Sequence, residues 1–221
     1  MPAPDDCEVF WVDLLGEPVE DHLSTDERSR ARTFVRPEDR ASFVATRATL
    51  RELVGERIGV EPASIVFVTG EHGKPQLRDG RLHFNVAHCE GHAVIALRRQ
   101  GPVGIDVEIV PASFPERDEI ARRVLSPHEG LWLQDRPDAE RTRDFMRLWV
   151  LKEAFAKCLG LGLGGPLREL EAKIVDGPPR VRWLGHSDRA FVASDLSPGE
   201  GVVSALVAET TELDVRTSSP R

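Results

Sequence analysis

Two short stretches of this sequence hold acidic residues whose spacing could bind a metal ion. In the first, 104–108 (GIDVE), Asp106 and Glu108 alternate with apolar residues, which is the period of a β-strand with two different faces. Both carboxylates therefore project from one face, about 7 Å apart along the strand. Like charges on one face repel unless a cation lies between them, so the pattern favours a hard metal ion. The alternative is a solvent-facing strand edge whose charges discourage aggregation.

The second stretch, 149–157 (WVLKEAFAK), has a helical pattern and supplies a third carboxylate, Glu153, one turn before Lys157. Three carboxylates, together with waters and substrate phosphates, are typical ligands of magnesium in its octahedral shell. Glu153 could instead be an exposed partner of Lys157 four residues later. Lys152 is adjacent to Glu153 and therefore points to a different face of the helix.

Three further residues could take part in such a site. His88 ends an alternating strand and Lys74 lies in a glycine-containing loop, positions that suit phosphate contacts, although His88 could also be a structural histidine. Glu129 could be a base or a neighbour of the metal, but its position three residues after Ser126 is explained by a helix capping box. The chain has 25 arginines and four lysines, and three of those lysines lie in the stretches considered so far. Because lysine and arginine are not equivalent, this usage gives weak support to site roles.

The elements that must position these residues follow from hydrophobic periodicity and from capping and turn signals. An antiparallel strand meander is predicted over residues 82–109, ending on the strand with the two acids. A polar tail is expected from about residue 210. Helices are predicted at about 25–34, 37–59, 120–125, from 127 and at 139–159, and further strands at 8–14, 65–68, 172–175, 181–184, 191–193 and 202–207.

Helices followed by a strand meander occur in this order in both halves of the chain. The pattern predicts an α+β fold built as a pseudo-duplicated pair, in which each half packs helices on an antiparallel sheet. The N-terminal half would span 1–104, and the C-terminal half, 105–221, would hold the metal and catalytic motifs. Because ligands bind in clefts at such interfaces, the site is expected between the halves.

Composition narrows the classes of function. The chain has 221 residues, 40% of them hydrophobic, and no apolar run approaches the roughly 18 residues that span a membrane. Without a signal-peptide pattern at the N-terminus, and with three widely spaced cysteines, a cytoplasmic protein with reduced thiols is expected. A net charge of −8 argues against general nucleic-acid binding, whereas a local excess of arginines over 28–57 could meet a polyanionic small molecule or an acidic protein.

Four ordered motifs together resemble the 4'-phosphopantetheinyl transferase superfamily. The stretches 104–108 and 149–157 match its two signature motifs, and 73–75 (GKP) and 84–88 (FNVAH) match its upstream motifs in order. The length and the duplicated architecture resemble the surfactin-synthetase-type branch, which is a pseudo-dimer in one chain, so a monomer is expected. Ala87 and Cys89 depart from the serines that are frequent beside the histidine, and neither side chain has a hydroxyl group for a contact to the ligand.

The resemblance implies magnesium-dependent transfer of the phosphopantetheine arm of coenzyme A to a serine of an apo acyl or peptidyl carrier protein, releasing adenosine 3',5'-bisphosphate. By position, Asp106, Glu108 and Glu153 correspond to the metal-binding acids. Glu153 also corresponds to the catalytic base toward the serine, and Lys157 to the lysine at the pyrophosphate. The positions expected to contact coenzyme A are Arg47, Lys74, His88, Lys152 and Lys157.

Two other classes of function stay open at this point. A metal-dependent phosphoester hydrolase could use the same acids on a nucleotide-like substrate, with no carrier protein present. A magnesium-binding or nucleotide-binding interaction module would need the acids but would perform no reaction.

Overall fold

The computed structural model describes residues 6–16, 19–70, 73–162, 164–174 and 177–218. Glu71 and His72 of the loop before Lys74 lie outside these residues. The helices are α1 (Thr25–Ala31), α2 (Pro37–Ile58), α3 (Arg117–Val124), α4 (Pro127–Gln134) and α5 (Asp138–Leu159). The strands are β1 (Asp6–Trp11), β2 (Phe67–Thr69), β3 (Pro75–Leu77), β4 (His83–Cys89), β5 (His92–Arg98), β6 (Val103–Ile109), β7 (Leu170–Lys173), β8 (Arg180–Trp183), β9 (Phe191–Asp195), β10 (Val202–Glu209) and β11 (Asp214–Ser218).

Local sequence signals explain where several helices begin and end. Both predicted capping boxes are present, at Ser24 before α1 and at Ser126 before α4, because each serine accepts from the third helical N–H while the glutamate there accepts from the serine N–H. Helix α2 starts with Pro37 in its first turn and ends at Gly59, whose φ of 68° is the left-handed conformation that glycine adopts readily.

Two sheets form the body of the protein. One has the order β11-β1-β5-β4 and the other has the order β6-β10-β9, while β2-β3 and β7-β8 are separate two-stranded ribbons. The α+β prediction is therefore confirmed, with mainly antiparallel strand pairing. Within the described segments, no helix combines the length and the apolar content that crossing a bilayer requires.

The predicted meander over 82–109 is correct for its first hairpin and wrong for its last strand. Strands β4 and β5 pair antiparallel, but β6 pairs with β10 in the other sheet, with Asp106 opposite Ala205. Strand β6 nevertheless packs against β4. There the Ile105 N–H donates to the side-chain Oδ1 of buried Asn85 at 2.8 Å. Periodicity along the chain does not specify which distant segments pair as strands.

The polar tail predicted from residue 210 is also wrong, because β11 runs parallel to β1 and extends its sheet. Its side chains are mostly exposed, so the segment lacks the alternation that marks a half-buried strand. The strand at 214–218 thus completes a sheet whose other strands come from residues 6–98. The pseudo-duplication and the boundary at residue 104 stay predictions.

Candidate active site

A close approach between β6 and α5 brings the two signature stretches together. A Cβ atom on Gly104 would lie 1.9 Å from the Ala154 carbonyl oxygen and 2.4 Å from the Cys158 nitrogen. Only a residue without a side chain fits there, because both neighbouring atoms belong to the backbone of α5. The glycine at the start of 104–108 thus places the acids of β6 beside Glu153 and Lys157.

Asp106 lies at the centre of this contact and is 5% exposed. Its Oδ1 accepts a hydrogen bond from Lys157 Nζ at 2.6 Å, whereas its buried Oδ2 has no hydrogen-bond partner among the described residues. Burial raises the pKa of the Asp106 carboxyl, and the Lys157 ammonium opposes that increase. A buried carboxylate oxygen without a partner is costly, so this atom has capacity for a cation.

The other two acids of the predicted set interact electrostatically with Asp106. Glu153 is 5% exposed, and burial followed by the negative charge of Asp106 raises its pKa to about 7. Glu108 is half-buried, and burial followed by Asp106 raises its pKa as well. Each acid therefore makes ionisation of the next more difficult, which is the electrostatic pattern of a site prepared for positive charge.

The donor set fits a magnesium ion that takes part of its shell from a ligand. Among the described residues, no three or more His, Cys, Asp and Glu side chains are arranged as a ready metal cage. Magnesium, however, is often bound by one or two carboxylates, with waters and substrate phosphates as the remaining ligands. The unpartnered Oδ2 of Asp106 and the neighbouring carboxylates of Glu108 and Glu153 meet that requirement.

The two predicted lysines of the site point in different directions. Lys157, 28% exposed in its side chain, donates to Asp106 and also to the Ile105 carbonyl oxygen at 3.3 Å. Lys74 Nζ instead donates to the backbone oxygens of Val103 and Lys157, both at 2.8 Å, and burial lowers its pKa. Its ammonium thus ties the loop before β3 to the start of β6 and the end of α5.

His88 and Arg47 lie on the elements where the sequence places them. His88 is exposed near the end of β4, close enough to Asp106 for a charge on its ring to lower the pKa of that carboxyl. Arg47 is on α2, 3.4 Å from a carboxylate oxygen of Glu27 and 5.9 Å from the ring centroid of Phe67, and burial lowers its pKa. Both side chains keep some exposure to solvent.

Lys152 lies apart from the other predicted site residues. Its side chain is 0% exposed, and its ammonium donates to Glu129 and to the Leu170 carbonyl oxygen on the side of α5 away from Glu153. The expected contact of Lys152 with coenzyme A has no support in this structure, because every donor of the ammonium is used within the protein.

Sequence reasoning missed two residues that hold β6 in place. Asn85 accepts from the Ile105 N–H, and the hydroxyl of Ser204 donates to the Asp106 carbonyl oxygen at 2.8 Å. Both are buried. The available signal was a small polar residue within an apolar strand, FNV and VVSALV, since buried polar side chains are retained where they have hydrogen-bond partners.

A groove of about 440 Å³ opens elsewhere, between α3 and α4. Its walls include Arg122, Leu125 and Leu131, and none of the predicted site residues. The cleft expected at the acids is therefore not this groove, and its position stays a prediction.

Comparison with known proteins identifies the family to which this chain is similar. The family model described as 4'-phosphopantetheinyl transferase superfamily matches residues 102–207, and the one described as 4'-phosphopantetheinyl transferase, N-terminal, matches residues 18–100. The 4'-phosphopantetheinyl transferase HetI of a Nostoc species is 36% identical over 189 residues, which cover 83% of this chain and 77% of HetI. Sfp of Bacillus subtilis is 32% identical over 180 residues, which cover 80% of this chain and 79% of Sfp.

A third relative, slr0495 of a Synechocystis species, is 34% identical over 151 residues, and the match spans 67% of this chain and 61% of that protein. The chain belongs to the 4'-phosphopantetheinyl transferase superfamily. Within it, the enzyme class is that of the 4'-phosphopantetheinyl transferases, with HetI and Sfp among its relatives. The resemblance of the four motifs is thus confirmed.

Proposed function

We propose that this protein transfers the 4'-phosphopantetheine arm of coenzyme A to a serine of an apo acyl or peptidyl carrier protein, with magnesium, and releases adenosine 3',5'-bisphosphate. The observation that supports this most directly is the contact of Asp106 with Lys157 beside a second buried carboxylate, Glu153, in a chain of this family. Buried acids at a lysine suit a reaction at a pyrophosphate, where negative charge must be neutralised as it develops.

In this reaction the serine oxygen attacks the phosphorus that bears the pantetheine arm, and the bond from that phosphorus to the bridging oxygen breaks. The serine proton goes to a base, and the leaving bisphosphate takes the electrons of the broken bond. Magnesium, held through Asp106, Glu108 and Glu153, would neutralise charge on the pyrophosphate oxygens. Two side chains of the protein, those of Glu153 and Lys157, act on the reacting groups.

Glu153 is the proposed base. A carboxylate with a pKa of about 7 is deprotonated in part at neutral pH and accepts a proton far better than a carboxylate of ordinary pKa. General base catalysis of this kind contributes about 10²- to 10⁴-fold to a rate. Because Glu153 is also proposed as a metal ligand, it accepts the proton in a later step or through a water.

Lys157 is proposed to contact the pyrophosphate and to assist the leaving group. Its ammonium already lies 2.6 Å from Asp106 at the end of α5, partly exposed, so it can exchange that carboxylate for a phosphate oxygen without moving its backbone. An ammonium near the bridging oxygen stabilises the charge that develops as the bond breaks.

Coenzyme A is proposed to lie in a cleft between the halves 1–104 and 105–221, with Arg47 and His88 at its phosphates and Lys74 on the wall of the cleft. The ammonium of Lys74 bonds to the backbone in the described structure, so its ligand contact would come from the loop around it or after a rotation. A cytoplasmic monomer with pseudo-twofold halves is part of the same proposal.

The test is incubation of the protein with coenzyme A, magnesium and an apo carrier protein, followed by intact-mass measurement. We expect the carrier to gain the phosphopantetheine mass, and Asp106→Ala and Glu153→Ala to abolish the gain while the far-UV circular dichroism stays unchanged. Glu200→Ala, which removes an exposed carboxylate, is the control and should keep full activity. Full activity in either site variant would refute the residue assignment.

The same assay separates the other classes of function. Release of product from coenzyme A without a carrier would indicate a hydrolase, and binding without any product would indicate an interaction module.

A further inference from the structure

Behind the candidate active site lies a buried ion pair that the proposed chemistry does not use. Lys152 Nζ donates to Glu129 Oε1 at 2.9 Å, to Glu129 Oε2 at 2.7 Å and to the Leu170 carbonyl oxygen at 2.6 Å. The side-chain exposures of the lysine and the glutamate are 0% and 1%. All three N–H groups of the ammonium therefore have a protein partner, and none is left for a ligand.

Glu129 is saturated in the same way. Besides the lysine, its carboxylate accepts from the Ser126 N–H and the Ala172 N–H, both at 2.6 Å. One carboxylate thus joins the start of α4, the middle of α5 and strand β7. The capping box explains only one of these four hydrogen bonds.

Stability alone is a weak reason for such a pair. Removing two charges from water is costly, and apolar residues of similar volume are often as stable in the same place. A buried pair with a complete set of directed hydrogen bonds differs from apolar packing in that it is satisfied in only one geometry. A rotation of α5 about its axis would break the bonds of Lys152.

The rotation of α5 matters because Glu153 is the next residue. Adjacent residues on a helix point about 100° apart, so the direction of one side chain determines the direction of the other. Lys152 faces α4 and β7, and Glu153 faces β6, near Asp106 and Glu108. A helix that rolled by a fraction of that angle would carry the Glu153 carboxylate away from the acids of β6.

We propose that Lys152 and Glu129 are positioning residues, which fix the rotation of α5 and thereby hold the Glu153 carboxylate facing Asp106. Neither residue touches substrate. The inference rests on the proposed function, because the pair is inferred to hold the proposed base, Glu153, in position.

The test replaces both charges, with Lys152→Met and Glu129→Gln in one protein. The amide that Glu129→Gln introduces still accepts one hydrogen bond, but its NH₂ group faces other donors, so folding is checked by circular dichroism and thermal unfolding. We expect kcat for carrier modification to fall by about 10- to 100-fold, the range that a displacement on the order of 1 Å produces. KM for coenzyme A should change by less than kcat does, because Glu153 is only one of the three proposed magnesium ligands. Should the double variant fail to fold, Glu129→Gln alone is expected to show a smaller fall in kcat, again with the smaller change in KM.

Two comparisons distinguish positioning from a general loss of stability. Leu50→Ala, in the core under α2, lowers stability far from α5 and should leave kcat unchanged at temperatures where it is folded. In a Glu153→Gln background, the double change should cause no further loss of the residual rate, because the pair acts through the side chain already removed.

An unchanged kcat in a folded variant, an effect on KM alone, or an undiminished effect in the Glu153→Gln background would overturn the inference. If the wild-type protein modifies the carrier and the double variant does so equally well, only the positioning role fails. If the wild-type protein adds no mass to the carrier, the proposed function itself fails.

Discussion

The raised pKa of Glu153 predicts that the candidate base makes the ligand-free protein less stable at neutral pH. The carboxyl has a pKa of about 7 in the folded chain against the ordinary value of 4.5, chiefly because burial penalises its charge. Between these values the folded state holds a proton that the unfolded state has lost. The contribution of Glu153 to stability therefore falls as pH rises from about 4.5 to about 7.

The magnitude follows from the linkage between proton binding and folding. Each pH unit in this interval costs about 1.4 kcal/mol, so the full interval costs about 3 kcal/mol. Glu153→Gln, which resembles the protonated carboxyl in shape, removes this cost. We expect the variant to be more stable than the wild type by about 3 kcal/mol at pH 8, a rise in Tm of roughly 6–12 °C, and equal to it near pH 4.

The measurement is thermal unfolding of both proteins from pH 4 to pH 8 in the presence of a chelator. Glu200→Gln, which changes an exposed carboxyl, is the control and should follow the wild-type curve at every pH. If the difference between wild type and Glu153→Gln is the same at pH 4 and pH 8, the burial and repulsion assigned to Glu153 are refuted.

Two further predictions concern the supports of the site. Gly104→Ala should destabilise the protein by roughly 3 kcal/mol or more in urea unfolding, because the added methyl group meets the α5 backbone, whereas Gly130→Ala, with nothing within 4 Å, should not destabilise it. Lys74→Met should cost about 1–3 kcal/mol, because two backbone carbonyl oxygens lose their donor, and the exposed Lys173→Met should cost little. A large rise in KM for coenzyme A without a loss of stability in Lys74→Met would instead indicate a direct ligand contact.

The sequence predicts those parts of the site that depend on local pattern. The alternation in 104–108 gives a strand, and Ser126 with Glu129 gives the start of α4, because in both cases the signal and the structure lie within a few residues. The period of α5 likewise separates Lys152 from Glu153 on the helix surface.

What the sequence does not predict are the partners of these elements. The helix capping box already explains why a glutamate stands at position 129. Nothing in the neighbouring sequence therefore indicates that the Glu129 carboxylate also accepts a hydrogen bond from Lys152, 23 residues away. Strand β6 looks like the continuation of a hairpin, yet its backbone pairs with β10. Strand β11 is polar and exposed and pairs with β1 near the other end of the chain. Each miss is a contact between distant segments, whose free energy depends on packing and not on local propensity.

The supports of the site share one physical feature, which is that each restricts the position of β6 or of α5. Gly104 sets how closely the helix approaches the strand, Asn85 and Ser204 hold the strand on either side of Asp106, and Lys74 bonds to both elements. The charge of Asp106 raises the pKa of Glu108 and of Glu153, so these carboxylates would relax apart if the backbone allowed it, because separation lowers their repulsion. Directed polar contacts around a glycine therefore keep the acids together against their own repulsion, which is the condition for presenting them to a cation and a phosphate.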